Sequence, residues 1–517
     1  MELTNGVLQF KCKFFEKMDK IKKRIETVYM ENRENILKKK RAAIINLGCK
    51  VNKYESDAMA EKLLREGMEL VTPEETADVY IINTCSVTNM AQKKSRQMLR
   101  RAKKYNPGAV VIAVGCYVNA EHENLRAADF VDIVVGNNLK KDIVSVITEY
   151  FMQTEEEKKE NITDYYLDIG KTEEYEEMGS IDISVMNHQR AYIKIQDGCN
   201  QFCSYCLIPY TRGRVRSRKP ENILSEIKKL AREGIKEFVL TGIHISSYGI
   251  DFAKGDVQYD EAMGSVSEQA VGITGLGDLI YEIEQLPDVE RIRLGSLEPR
   301  IITREFLDRI GKSDKLCPHF HLSLQSACNE TLKRMNRKYT VGEFGEKCQM
   351  LRDYFENPAI TTDVIVGFPG ETEQEFSETL ENLKKLNLYE IHVFKYSVRS
   401  GTVAEKLPCQ IPEEVKNARS DILLELTHSQ KRAYEMELSG YVDEVLVEER
   451  IEDGKQIEVL KKAVLAEKAV GKLKMDTTEG KIGGEIKYFT GHTKRYVKVA
   501  LPADSSLINR IVKVRLV

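Results

Sequence analysis

Two long stretches of the chain alternate apolar runs of strand length with helical patterns, and this rhythm limits the possible folds more than any other feature. Strands that alternate with helices predict βαβ units, in which a parallel sheet is covered on both faces. The first series has the candidate strands Ala43–Leu47, Val79–Ile82, Val110–Val114 and Val131–Val135. We therefore expect a small doubly wound parallel-sheet domain over residues 42–151, within an α/β protein.

The second series runs over residues 188–436 and predicts a barrel of βα units. Its candidate strands are Ala191–Ile195, Glu237–Ile245, Arg291–Leu297, Phe320–Leu324, Ile360–Phe368 and Glu390–Tyr396. Six units are fewer than the eight of a closed barrel, so we expect a six-fold partial barrel. In such barrels the chemistry lies at the C-terminal ends of the strands. Residues 251–275 contain several glycines and few bulky apolar residues, which indicates a surface insertion.

The other segments differ in composition. Residues 1–41 form a basic N-terminal extension with 12 Lys/Arg against 6 Asp/Glu, and residues 152–187 form an acidic linker with 11 acidic side chains. Residues 437–517 predict a small antiparallel β-barrel, because short apolar runs alternate there with turn residues. These runs are Tyr441–Glu448, Lys461–Ala466, Gly483–Tyr488, Tyr496–Ala500 and Ile511–Val517.

The composition is that of an ordinary globular protein, with a net charge of −3. This charge argues against a protein that is basic overall, so any contact with nucleic acid must come from a local patch. The sequence shows no signal-peptide core and no membrane-spanning run, and we expect a cytoplasmic location without membrane contact. The 11 cysteines are then expected to be reduced, with metal or catalytic roles for some of them.

Three cysteines form a Cys-x3-Cys-x2-Cys loop, Cys199, Cys203 and Cys206, directly after the first strand of the second series. Iron-sulfur clusters usually take four protein thiolates, so three thiolates leave one iron open for a further ligand. A zinc site completed by another residue and a chance cluster are the alternatives. Zinc motifs commonly use paired cysteines or Cys/His partners, and no matching pair follows downstream. The loop therefore favours an iron-sulfur centre.

Three other cysteines, Cys49, Cys85 and Cys116, each follow a predicted strand of the first series. The C-terminal ends of parallel strands meet at one edge of a doubly wound sheet, so these thiols are expected to converge. Buried structural thiols are the alternative, but the polar neighbours of these cysteines disfavour it. The pattern predicts a second three-thiolate cluster with an open iron.

The cysteine loop resembles the signature of the radical S-adenosylmethionine enzymes. Together with the second triad and the C-terminal barrel, it resembles the methylthiotransferase family, which joins a cluster domain, a radical barrel and a TRAM domain. The resemblance covers about residues 42–517 and implies two 4Fe-4S clusters and S-adenosylmethionine. One cofactor molecule gives a methyl group and a second gives the radical that opens an unreactive C–H bond to sulfur. An electron donor of the flavodoxin or ferredoxin type and a sulfur donor are the implied partners.

The same resemblance implies cofactor-binding residues at the strand ends, and beyond the cysteines it singles out no certain catalytic residue. Thr241 and Gly242 end the second strand, while the segment VGFPGET at 366–372 ends the fifth strand and opens a helix, where free N–H groups bind polar ligands. Plain turns and helix capping by Thr372 are the structural alternatives. The candidates are Tyr205, Thr241, Gly242, Glu298, Gln325, Gly367 and Pro369.

Basic and aromatic side chains gather after the cysteine loop and near the C-terminus. Cations for phosphates and aromatic rings for unstacked bases are typical of single-stranded RNA recognition, whereas a solvated barrel face with core aromatics is the structural alternative. The candidate RNA-binding residues are Arg212, Arg214, Arg216, His492, Lys494, Arg495 and Tyr496. The resemblance to the methylthiotransferases implies that tRNA is the RNA partner.

Three segments resemble the bacterial branch that methylthiolates threonylcarbamoyladenosine beside the tRNA anticodon: LGCKVNKYES at 47–56, DVYIINTC and LKRMNRKYT. The implied product is 2-methylthio-N6-threonylcarbamoyladenosine. The same chemistry on isopentenyladenosine or on a ribosomal-protein aspartate stays open, as does a non-catalytic iron-sulfur RNA-binding sensor. The chain departs from the family in its extension, in the insertion at 251–275 and in a lengthened segment around 451–485.

Overall fold

The computed structural model describes residues 36–154, 156, 163–183, 189–252, 259–260, 265–266, 273–452, 454–465, 487–503 and 505–517. Most of the N-terminal extension and parts of both insertions lie outside this range. The strands are β1 Arg41–Asn46, β2 Glu69–Leu70, β3 Val79–Thr84, β4 Val110–Gly115, β5 Ile133–Val135, β6 Thr163–Tyr165, β7 Arg190–Lys194, β8 Gln196–Asp197, β9 Arg216–Ser217, β10 Glu237–Thr241, β11 Tyr259–Asp260, β12 Ser265–Val266, β13 Arg291–Leu294, β14 His319–His321, β15 Ala359–Val366, β16 Glu390–Lys395, β17 Val442–Arg450, β18 Lys461–Leu465, β19 Tyr488–Thr493, β20 Lys498–Pro502 and β21 Ile511–Leu516.

The α-helices connect these strands. They are α1 Lys50–Arg65, α2 Asn89–Tyr105, α3 Cys116–Ala120, α4 His122–Arg126, α5 Ile143–Met152, α6 Ile208–Thr211, α7 Pro220–Arg232, α8 Leu276–Glu284, α9 Arg304–Ile310, α10 Asn329–Arg334, α11 Val341–Tyr354, α12 Glu373–Leu386, α13 Glu413–Glu437 and α14 Gly454–Val459. Within the described part of the chain, none of the helices is both long and apolar enough to cross a membrane.

The N-terminal domain is a parallel sheet in the order β2-β1-β3-β4-β5-β6. Successive side chains of each strand point to opposite faces, so Ile81 packs with α1 and α5 while Ile82 packs with α2. Because both faces are covered by helices, the central parts of β1, β3, β4 and β5 are apolar. The predicted doubly wound sheet is confirmed.

The acidic segment 152–187 contributes to this sheet. Its strand β6 pairs in parallel with β5, from Ile133 opposite Thr163 to Val135 opposite Tyr165. Further along the segment, Met178 and Ile181 are buried in the core of the N-terminal domain. The high charge of the segment made these few apolar residues difficult to recognise in the sequence. They are buried because they pack against the core of the neighbouring domain.

The central domain is the predicted six-fold partial barrel. Its strands form two parallel sheets, β7-β10-β13 and β14-β15-β16. Parallel bridges from Ile292 to Leu316 and from Leu297 to Leu322 connect the two sheets. One continuous apolar core fills the space between the strands and their covering helices.

The C-terminal strands close into a barrel in the order β17-β19-β20-β18-β21. The prediction of an antiparallel barrel is wrong for one pair, because β18 and β20 run parallel, with Lys461 opposite Val499. Around a closed ring of five strands the direction cannot alternate at every step, so at least one neighbouring pair must be parallel.

One predicted strand of this barrel, Gly483–Tyr488, lies mostly outside the described residues. The strand β19 begins at Tyr488, where the predicted strand ends, while residues 483–486 lie outside the described residues. Gly491 gives the reason that the sequence did not predict β19: a Cβ there would come within 2.2 Å of the Leu446 carbonyl oxygen. This glycine allows close approach of two strands, although in the sequence it resembles a turn signal.

A buried ion cluster around Glu237 joins the partial barrel to the C-terminal barrel. Arg293 contacts this carboxylate at 2.9 Å and Arg291 contacts it at 3.5 Å. The same two guanidinium groups donate to backbone carbonyls of His492, Thr493 and Lys494. Burial by itself would raise the pKa of Glu237, but Arg293 and its neighbouring arginines outweigh burial and hold the pKa well below its usual range.

Replacing Glu237 by glutamine should therefore destabilise the protein. The change leaves two buried guanidinium groups without a counter-charge, which costs about 3–5 kcal/mol in comparable buried pairs. The midpoint of thermal unfolding measures the effect. The neighbouring Lys236→Gln is the control, because it removes only a partly exposed contact with Glu290. It should change the free energy of unfolding by about 0.5 kcal/mol or less. Equal effects of the two substitutions would contradict this account.

Candidate functional site

The strand register brings Cys49, Cys85 and Cys116 to one edge of the N-terminal sheet. Cys85 and Cys116 directly follow the paired residues Thr84 and Gly115. Cys49 follows the neighbouring strand β1 and is the N-cap residue of helix α1. The three thiols lie within electrostatic range of one another. Cys85 and Cys116 are buried, whereas Cys49 is exposed.

The second triad lies in the loop after β7 and β8. Gly198 has a φ of +72°, and a Cβ there would come within 1.9 Å of the Arg214 carbonyl oxygen, so only glycine fits. The returning chain thus folds tightly against the start of the loop. The thiols of Cys199, Cys203 and Cys206 lie within electrostatic range of one another.

Donors surround both triads and fit the chemistry of a cluster. Arg337 donates to the Cys203 sulfur at 3.2 Å, and the Gln201 N–H donates to the Cys199 sulfur at 3.4 Å. Arg212 donates to the Cys116 sulfur at 3.1 Å. Hydrogen bonds and cations next to thiolate sulfur stabilise its negative charge and tune the potential of a bound cluster. The residues present therefore fit an iron-sulfur group at each triad.

Burial works in the opposite direction on the free thiols. It raises the pKa of Cys85 to about 11 and, together with the neighbouring Cys203, raises the pKa of Cys206 to about 12. These two thiols therefore hold their protons at neutral pH. A metal that binds to the sulfur atoms must displace these protons.

A buried charge network connects the N-terminal domain to the barrel beside Cys116, and Arg212 is its centre. The guanidinium contacts Glu55 of the N-terminal domain at 2.9 Å and Asp197 of the barrel at 3.0 Å. Lys194 lies 2.7 Å from both carboxylates. Burial by itself would raise the pKa of Glu55, but Arg212 and two lysines hold the pKa well below its usual range. The carboxylates thus stay ionised and keep the two domains together.

A second arginine also bridges the domains. Arg399, from the loop after β16, donates to the Ser86 carbonyl and to Asn89 Oδ1, the latter at 2.8 Å. It lies within electrostatic range of Cys85 in one triad and Cys206 in the other. The loop after Cys85 is therefore held by the barrel.

A cavity of about 500 Å³ lies between the N-terminal domain and the inner face of the barrel. Cys49 lines it from the N-terminal domain, and residues of the barrel strands and their ends form much of the remaining lining. Much of the lining is polar or ionisable. The lining residues of this kind are Cys49, Lys50, Thr241, Ser296, His319, His321, Thr361, Asp363, Glu390, His392 and Tyr496.

Two of the predicted cofactor-binding residues, Thr241 and Gly242, line this cavity at the end of β10. Tyr205 lies elsewhere, against the Gly367–Pro369 turn, where its ring packs edge-on to Phe368 at 6.3 Å. Gly367 has a φ of +69°, and its N–H donates to the Glu371 carboxylate at 2.7 Å. The side chain of Glu371, which follows the turn, thus holds the turn in place.

The two other candidates have partners within the protein. Glu298 accepts from the Arg300 N–H and contacts the Arg300 guanidinium at 2.8 Å. Gln325 has a φ of +74° and is held by backbone hydrogen bonds to Asp363 and Ile365. Their roles in cofactor binding stay predictions.

The structure corrects several of the RNA-binding predictions. Arg212 and Arg216 are almost fully buried, at 0% and 1% exposure, and cannot reach RNA. Arg495 is also buried, and it bonds Asp443 at 3.0 Å. These residues resemble a basic surface in sequence, but buried carboxylates neutralise them. Arg214 is exposed and lies over the Phe202 ring, so its prediction stays open.

The remaining C-terminal candidates lie at the junction between the two barrels. His492 bonds Glu448 at 2.8 Å, and Lys494 contacts Glu444 at 3.1 Å. Tyr496 lines the cavity, and its ring stacks on His319 at 4.8 Å. Their visible partners are protein groups, so the structure favours the structural alternative for His492 and Lys494.

Sequence reasoning missed several residues of the site. Glu55 and Arg337 lie inside the segments LGCKVNKYES and LKRMNRKYT, but their spacing carries no signal of contact with a cysteine. Arg399 and Asp197 lie in no motif that we identified. Only conservation across relatives or the tertiary contacts could have identified them.

Comparison with known proteins agrees with this architecture. Residues 193–383 match the model of the radical SAM superfamily, and residues 41–136 match the uncharacterized protein family UPF0004. The threonylcarbamoyladenosine tRNA methylthiotransferase MtaB of Bacillus subtilis is 36% identical over 475 residues, which cover 92% of this chain and 93% of that protein. The tRNA-2-methylthio-N(6)-dimethylallyladenosine synthase of Clostridium botulinum is 35% identical over 78% of this chain and 84% of its own.

Among solved structures, the radical S-adenosylmethionine methyltransferase TsrM from Kitasatospora setae covers 69% of this chain and 75% of its own, with a TM-score of 0.48 and 15% identity. The relatives carry the assignment: the chain is a transferase and belongs to the radical S-adenosylmethionine tRNA methylthiotransferase family. Members of this family use S-adenosylmethionine and two 4Fe-4S clusters, and the two cysteine triads provide a place for each cluster.

Replacing Arg212 by glutamine should weaken the junction between the triads. The change leaves Glu55 and Asp197 with one buried cation fewer and removes the donor to Cys116, at a cost of about 3–5 kcal/mol. Thermal unfolding and the iron content of the reconstituted chain measure the loss. Arg214→Gln, two residues away and exposed, is the matched control and should change neither quantity. A normal midpoint and normal iron content in Arg212→Gln would contradict the proposed role of the network.

Proposed function

We propose that the protein is a tRNA N6-threonylcarbamoyladenosine C2-methylthiotransferase, which makes 2-methylthio-N6-threonylcarbamoyladenosine beside the anticodon. The cavity carries this proposal, because Cys49 lines it together with many hydrogen-bonding side chains. A threonylcarbamoyl group has a urea, a hydroxyl and a carboxylate, which need such partners. An isopentenyl group is a hydrocarbon and would form no hydrogen bonds with these side chains.

We assign Cys49, Cys85 and Cys116 to one cluster, and Cys199, Cys203 and Cys206 to the other. When bound, the cluster at Cys199, Cys203 and Cys206 supplies radical chemistry together with S-adenosylmethionine, and the cluster at Cys49, Cys85 and Cys116 supplies the sulfur. The chain's own residues do the rest. Arg212 and Arg337 stabilise thiolate charge through their hydrogen bonds to Cys116 and Cys203.

Burial of Cys85 and Cys116 keeps water from these two thiols. The network at Arg212 fixes the position of one triad relative to the other. Thr241, Gly242, Tyr205, Glu298, Gln325 and the Gly367–Pro369 turn are the proposed cofactor contacts. The required partners are tRNA, a one-electron donor of the flavodoxin or ferredoxin type and a sulfur donor, and all of them agree with a cytoplasmic location.

Mass spectrometry of tRNA nucleosides tests the substrate. In a strain that lacks the gene, the methylthio-threonylcarbamoyl nucleoside should disappear, and its precursor should accumulate. The related synthases that act on dimethylallyladenosine favour one alternative. Loss of the methylthio-isopentenyl nucleoside instead would support that alternative and contradict the proposal.

Iron counting tests the cluster ligands. The anaerobically reconstituted chain should hold about eight irons, and changing either triad to alanine should reduce this number to about four. Cys409→Ala is the control, because this exposed cysteine lies outside both triads. Retention of eight irons by either triple variant would show that its cysteines are not ligands.

A further inference from the structure

One lysine of the cavity has no partner for its charge. Lys50 lines the cavity, and its ammonium makes no hydrogen bond or ion pair with any of the residues that the structure describes. The two carboxylates of the cavity are already paired. Asp363 contacts His321 at 3.3 Å, and Glu390 contacts Lys431 at 2.8 Å. Lys50 is exposed to this space, so its ammonium is available to an anion from outside the chain.

Two other features make the same end of the cavity favourable for an anion. Helix α1 begins at Lys50 without a side-chain cap, so its first N–H groups and the positive end of its dipole lie there. His319 also lies within electrostatic range of Lys50, is only 7% exposed, and has no hydrogen-bond partner for Nδ1 among the described residues. Arg190, Arg293 and their shared partner Glu237 also lie within electrostatic range of Lys50.

We infer that Lys50, His319 and the N-terminus of α1 form a subsite for the carboxylate of an amino-acid substituent on the target base. This inference rests on the proposed function, since the threonylcarbamoyl group brings a carboxylate into the cavity. The ammonium donates charge-assisted hydrogen bonds to the carboxylate oxygens, and the uncapped N–H groups face the same charge. Lys50 is then a specificity-determining residue.

The position of Lys50 explains how one residue can discriminate between bases that carry a carboxylate and bases that do not. It directly follows Cys49, which we assign to the sulfur-delivering cluster, so the anion site and that cluster share one short segment. A bound base without a carboxylate would give the ammonium no counter-charge. Rejection of a neutral substituent therefore needs no additional steric barrier.

The test uses the full reconstituted chain and two RNAs. One is an anticodon stem-loop that carries threonylcarbamoyladenosine, and the other is the same RNA with its carboxylate converted to a neutral methylamide. For Lys50→Met, the Kd of the charged RNA should rise about tenfold or more, and that of the neutral RNA should stay nearly unchanged. Turnover should show the same split, mainly in KM.

Two further variants complete the design. Lys50→Arg keeps the charge and should retain most of the discrimination. Lys53→Met lies on the same helix, where its side chain contacts Asp57, and should behave as the wild type. Iron content and the thermal midpoint of each variant establish that the fold and the clusters are intact.

The outcomes separate this inference from the proposed function. Equal loss for both RNAs, loss of iron in Lys50→Met, or unchanged discrimination would each overturn the carboxylate subsite. Failure of the wild type to modify the charged RNA, while it modifies isopentenyladenosine, would overturn the proposed function instead. A tenfold selective loss with intact clusters supports both.

Discussion

The arrangement of this protein depends on the buried charge network around Arg212. Taking charged groups out of water is costly, and only close partners on all sides offset the cost. Here Glu55 comes from the N-terminal domain, while Asp197, Lys194 and Arg212 come from the barrel. Within the barrel, Arg212 and Lys194 share the single carboxylate of Asp197. Glu55, which also pairs with Lys140 of its own domain, adds a second carboxylate across the junction. The network therefore specifies one docking geometry.

That geometry has a chemical consequence. Arg212 bonds a sulfur of the N-terminal triad and lies six residues beyond the last cysteine of the radical loop. Arg399 makes a second bridge on the other side, where it holds the loop after Cys85. The two triads are consequently fixed relative to each other, with the cavity between the same two domains. A reaction that needs a radical and a sulfur atom at one carbon requires such a fixed arrangement.

The ion cluster at Glu237 does comparable work at the opposite end of the barrel. Its arginines reach across to backbone carbonyls of β19 and the following turn, which holds the C-terminal barrel against the strands of the partial barrel. Tyr496 is consequently brought into the cavity wall. Residues of the C-terminal barrel thus shape the site through packing, in addition to any contact that this barrel makes with RNA.

The local sequence pattern was enough to predict the parallel-sheet domain, the partial barrel, the C-terminal barrel and the two cysteine triads. Strand periodicity places Cys85 and Cys116 at strand ends, and the parallel register of a doubly wound sheet forces such ends together. The partial barrel follows from its repeated βα units for the same reason. In contrast, the parallel pair β18 and β20 arises from closure of a ring of five strands, which local periodicity does not encode.

Tertiary structure alone decided which charges are buried. Arg212, Arg214 and Arg216 alternate in the sequence as one basic run, yet only Arg214 is exposed, because carboxylates distant in the chain enclose the other two. The role of Lys50 could not be predicted for the same reason, because only the tertiary structure shows that none of the described residues pairs with its ammonium. The sequence by itself determined the cofactor chemistry through its cysteines. The relative position of the triads, and the free cation beside Cys49, depend on long-range packing and buried electrostatics.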